Sequence, residues 1–153
     1  MTPELQSSIK HKFFTYRNGI VADALRSGGY PQRMIFGLDV PQIASIAREL
    51  QTSLDKATLA DAASWLWSDS NVRESRLLAC YLFEPIATDE TGALRLASDV
   101  RTQEEADMLA FRLLKRLPDP ARLLELIRHE EAASTDSTAS LSMAARALAR
   151  FVD

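Results

Sequence analysis

The stretch FGLDVPQIASIAREL, Phe36 to Leu50, joins a glycine bend to a proline and then to an apolar beat of Ile43, Ile46, Ala47 and Leu50. Pro41 fixes φ and lacks an N–H that a first helical turn would leave unbonded anyway, so it opens a helix predicted over 41–51. Gly37 supplies a backbone conformation that a side chain would obstruct. The spacing i, i+3, i+4, i+7 marks a helix that buries one stripe.

The same stripe recurs along the chain. Leu59, Ala62, Ala63 and Leu66 form one set. Ala106, Leu109, Ala110 and Leu113 form another, and Leu141, Ala144, Ala145 and Leu148 a third. Residues 72–83 are apolar nearly all round, with Leu77, Leu78, Cys80, Tyr81, Leu82 and Phe83, which predicts a covered, central helix. Thr2-Pro3 and Asp119-Pro120 both read as a cap followed by proline in the first turn. Asn71 with Glu74, and Thr102 with Glu105, have capping-box spacing. Only five glycines occur and none follows Gly92, which is sparse for strand-rich proteins. The spacings predict helices over 3–14, 17–27, 41–51, 57–68, 71–84, 93–100, 103–117, 120–131 and 140–152, and no strand.

The fold class is therefore all-α, with short connections that make neighbouring helices antiparallel hairpins. Periodicity alone leaves a stack of hairpins and a compact bundle both open. With 153 residues, the chain is expected to form one domain over 1–153. The Ser/Thr/Ala stretch near 130–140 reads as a flexible linker before the last helix.

A net charge of −3 argues against a surface that grips nucleic acid all over. Charge is nonetheless uneven. Lys10, Lys12, Arg17, Arg26 and Arg33 face only Glu4 and Asp23 in the first 33 residues. Arg112, Lys115, Arg116 and Arg122 cluster against Asp119 alone. Arg112, Lys115 and Arg116, three and four apart, share a helix face that could track a DNA backbone or simply be solvated. Cys80 is the lone cysteine, set in an apolar run, and reads as a small buried hydrophobe. His11 and His129 lack ligand spacing, so no metal and no cofactor is expected. The first residues are too polar for a signal peptide and no apolar run could span a bilayer, which predicts a cytoplasmic protein without a membrane partner. Trp67 lies beside the main stripe of its helix and should be core, whereas Trp65 should reach the surface. Glu74 is expected to cap the helix it begins, and Arg76 to meet either a phosphate or a carboxylate.

Phe36-Gly37-Leu38, Pro41, Leu66-Trp67 and Glu74-Ser75-Arg76 before Leu77 to Phe83 resemble the AlkD-type DNA alkylation repair family. The resemblance runs from about Tyr16 to Glu84 and continues, more thinly, to Leu117. It implies a HEAT-like superhelix whose concave surface tracks double-stranded DNA. It also implies excision of alkylated purines, in which a carboxylate and aromatic faces stabilise a developing cation. In that light Asp107 is the candidate for the catalytic aspartate, and Arg76, Arg112, Lys115 and Arg116 are candidates for nucleic-acid binding. Glu104 and Glu105 stand where the family has tryptophans, and no tryptophan follows Trp67. Two of the three parts that excision needs are thus absent, leaving three readings. The first is a shortened relative that keeps a DNA-backbone-binding face. The second is a non-catalytic helical-repeat module for a protein partner. The third is a glycosylase built on Asp107 with Phe111 or Tyr81.

Overall fold

The structure is a computed structural model that describes residues 1–134 and 139–152. Its described residues contain nine α-helices and no strand, as the apolar periods require. They gather into two compact units, Met1–Leu82 and Phe83–Asp153.

In the first unit, α1 (Pro3–Thr15) starts where the Thr2 hydroxyl accepts the Leu5 N–H, and it buries Ile9 and Phe13. Asn18 caps α2 (Gly19–Ser27) by accepting from the Ile20 and Val21 N–H groups. The helix α3 (Val40–Ser53) carries Pro41 in its first turn and a reciprocal cap: Gln42 N–H donates to Asp39 while Asp39 N–H donates to Gln42 Oε1. Its stripe of Ile43, Ile46, Ala47 and Leu50 is buried. Asp55 caps α4 (Lys56–Ser68), where Trp67 is buried and Trp65 half-buried. The short α5 (Arg73–Leu82) packs on both α3 and α4. Leu77, Leu78, Ala79 and Cys80 are all fully buried, which accounts for a helix apolar nearly all round. Burying each leucine contributes about 1.5–3 kcal/mol.

The second unit begins with a 3₁₀ turn, Pro85–Ala87, and then α6 (Glu90–Ala97). The expectation of 93–100 is corrected: the helix starts three residues earlier because Asp89 is the cap and accepts the Gly92 N–H at 2.7 Å. Thr102 caps α7 (Gln103–Arg112) through the Glu105 N–H, and the Glu105 carboxylate reaches back to the Arg101 N–H. The expected continuous helix over 103–117 stops at Arg112: Leu113 leaves helical geometry with φ −127° and ψ −62°, and a 3₁₀ turn covers Leu114–Arg116. Asp119 caps α8 (Pro120–Ala133), and α9 (Ala139–Ala149) packs on α7 and α8. The expected linker near 130–140 is helical to Ala133, and its residues 135–138 lie outside the described residues.

The opening bend is held from inside the first unit. Gly37 has φ +87°, and a Cβ there would sit 2.3 Å from the Asn18 carbonyl oxygen. The Asn18 N–H donates to the Phe36 carbonyl at 2.7 Å. On the other side, the fully buried Glu74 accepts the Phe36 and Gly37 N–H groups at 2.9 and 3.1 Å. Arg73 donates to Glu74 at 2.7 Å and to the Leu38 carbonyl at 3.0 Å. Glu74 is therefore not the local cap its spacing suggested. Its carboxylate reaches a bend 37–38 residues earlier in the chain.

Candidate nucleic-acid interface

The basic residues at the end of α7 gather around an aromatic pair. Phe111 is 45% exposed and Phe151, just past α9, is 40% exposed. Their ring centroids lie 5.9 Å apart at a tilt of 46°. The Lys115 ammonium sits 3.8 Å from the Phe111 centroid and 4.8 Å from that of Phe151. The Arg112 guanidinium is 5.3 Å from Phe111. Ring quadrupoles attract such cations. The break at Leu113 makes this arrangement possible: the 3₁₀ turn carries Lys115 over the rings, while Arg116 stays exposed and donates to the Arg112 carbonyl at 3.3 Å.

Asp107 lies one turn before Phe111 on α7 and is partly exposed. It accepts a hydrogen bond from Gln103 at 2.9 Å and faces Arg150 at 4.0 Å. Gln103 also donates to the Met143 carbonyl at 3.2 Å and accepts from Arg146 at 3.1 Å. Gln103 thus rivets α7 to α9, and Asp107 belongs to the same polar seam. Asp107 faces Arg150, whose chain neighbour Phe151 meets Phe111, and Lys115 and Arg112 lie against these rings.

Arg76 is placed elsewhere. It lies in α5 of the first unit, 1% exposed, with its guanidinium 4.0 Å from the Trp67 ring centroid. At that depth it packs against a core neighbour. Tyr81 is also on α5, in the other compact unit from Asp107. Glu105 is 1% exposed and occupied with the start of α7. Sequence reasoning missed Gln103, Arg150 and Phe151. Two arginines one helical turn apart, Arg146 and Arg150, run into Phe151, which was the available signal for the last two. No helix among the described residues is long and apolar enough to cross a membrane. Among the same residues no group of three metal-ligating side chains occurs.

A family model described as DNA alkylation repair enzyme matches residues 9–147. The chain belongs to the DNA alkylation repair enzyme family. Comparisons with curated proteins and with solved structures gave no match. The match to the DNA alkylation repair enzyme family takes in the Phe36–Leu38 bend, Glu74, Asp107 and the basic turn. It stops short of Arg150 and Phe151, so the second ring of the aromatic pair comes from outside the matched range.

Proposed function

We propose that this member of the DNA alkylation repair family binds duplex DNA along its sugar–phosphate backbone through the Arg112–Lys115–Arg116 turn, and that binding, not base excision, is its activity. The observation that carries the reading is Lys115 held over Phe111 and Phe151 with Arg112 and Arg116 beside it. Arg146 and Arg150 extend the positive face. Excision would need Asp107 beside a stretched glycosidic bond, with aromatic faces free to stabilise the departing cationic base. Asp107 is bonded to Gln103 and faces Arg150, and the aromatic pair already holds Lys115.

Fluorescence anisotropy with a labelled duplex at several salt concentrations tests this. Phosphate-driven affinity falls linearly on log–log axes, with a slope near −0.9 per neutralised phosphate. The triple variant R112A/K115A/R116A should flatten that slope by roughly 3. An absence of duplex binding at low salt overturns the proposal in favour of a protein partner. Release of N7-methylguanine from methylated duplex, lost in Asp107→Asn, overturns the non-excising part.

A further inference from the structure

The first unit presents a second cation–aromatic surface that the duplex-binding reading does not use. It lies on one face of α1, where Ser7, Lys10, His11 and Phe14 follow at spacings of three and four, and on Arg17 just past the helix end. Phe14 is 52% exposed. The Arg17 guanidinium lies 3.8 Å from its ring centroid and donates to the Phe14 carbonyl at 2.8 Å. Lys10 lies 5.7 Å from the Trp65 ring centroid and pairs with Asp69. Phe14 and Phe36 separate two clefts. One, of about 540 Å³, has Lys10, His11 and Trp65 in its walls. The other, of about 710 Å³, has Arg17, Arg26 and Met34.

We infer that this face binds an unpaired nucleic-acid strand, with bases stacked on Phe14 and Trp65 and phosphates met by Lys10, His11, Arg17 and Arg26. Three features select that occupant. The cations are layered on aromatic rings, the combination that tracks a single-stranded backbone while stacking successive bases. Charge is complementary: Lys10, Arg17 and Arg26 line the two clefts, with Asp23 the acid in their walls. The acids near the clefts are Asp69, bonded to Lys10 and Ser75, and Asp23, 3.7 Å from Arg26. The length also fits, since the four-residue helical step from Lys10 to Phe14 spans about 6 Å. Three bases stacked at about 3.4 Å span about 7 Å.

The test uses the whole protein and a labelled oligothymidylate of about 12 nucleotides, which cannot self-pair. Binding is read by anisotropy and by quenching of tryptophan emission. Trp65 is half-buried and Trp67 buried, so quenching reports on Trp65. Phe14→Ala and Arg17→Ala should each weaken binding about tenfold. Phe14→Trp should restore it, which keeps the stacking test intact should the alanine variant misfold. Trp65→Phe should abolish quenching and leave binding measurable. The triple variant R112A/K115A/R116A should retain oligothymidylate binding within about twofold and lose duplex binding, which separates this site from the proposed one. Three results overturn the inference: no oligothymidylate binding at low salt, unchanged affinity in Phe14→Ala and Arg17→Ala, or loss confined to the triple variant. Displacement of the strand by polyglutamate together with unchanged affinity in Phe14→Ala also overturns it, and identifies an acidic-peptide face.

Discussion

Glu74→Gln isolates the interaction that sets the opening bend. Three donors converge on the Glu74 carboxylate: the Phe36 N–H, the Gly37 N–H and the Arg73 guanidinium. An amide of the same shape keeps one acceptor oxygen and turns an NH₂ group towards donors. A hydrogen bond to a charged group contributes about 1.5–3 kcal/mol. Removing one partner of a buried ion pair costs about 3–5 kcal/mol, and the two losses overlap because they share one carboxylate. The expected destabilisation is therefore about 3–5 kcal/mol in total. With a urea m-value near 2 kcal/mol/M, the midpoint should fall by roughly 2 M. Tryptophan emission is a suitable probe because Trp65 and Trp67 both belong to the first unit. Arg73→Met should shift the midpoint by a similar amount, since it leaves the buried Glu74 carboxylate without its cation and the Leu38 carbonyl without its donor. A midpoint shift for Glu74→Gln below about 0.5 M would refute the reasoning.

Other outcomes follow from the same geometry. Gly37→Ala should lose about 1–2 kcal/mol from its left-handed φ alone, and more from the clash with the Asn18 carbonyl, read by urea denaturation. Hydrogen bonds from Thr58, side chain first and then backbone, hold the Asp55 carboxyl below its ordinary 3.8. A depressed carboxyl stabilises the fold above its unfolded value and loses that contribution as pH falls through the folded one, so Asp55→Asn should be less sensitive than the parent to acid below about pH 4 in thermal melts. Gln103→Ala should destabilise the second unit by about 1 kcal/mol per hydrogen bond lost, measured by circular dichroism. Leu78→Ala should lose about 2–5 kcal/mol in the same assay.

Much of the helical framework was legible because its signals are local. A cap and its target N–H lie three residues apart, as Thr2 with Leu5 and Asp119 with Arg122 show. The all-round apolarity of α5 likewise announced its burial. The start of α6 was misplaced although Asp89 and Gly92 had the spacing to reveal it. Glu74 could not be read correctly. Its first-turn position satisfies the local capping rule, and only tertiary packing brings the Phe36 and Gly37 N–H groups to it. The break at Leu113 has no proline or glycine to mark it. At the candidate interface, charge spacing singled out Lys115 and Arg112 but not the rings they lie on. Phe151 was missed because its contact with Phe111 joins residues 40 positions apart. Arg76 was expected to meet a phosphate or a carboxylate; a charge in sequence carries no depth, and the structure buries this one against Trp67.

The clamp on the glycine bend also constrains the order in which the chain can assemble during synthesis. Helices α1 and α2 leave the ribosome well before residue 74 does, and until that carboxylate arrives the amides of residues 36 and 37 lack the acceptor they have in the fold. The bend must therefore wait for a residue translated 37 codons after the glycine it secures.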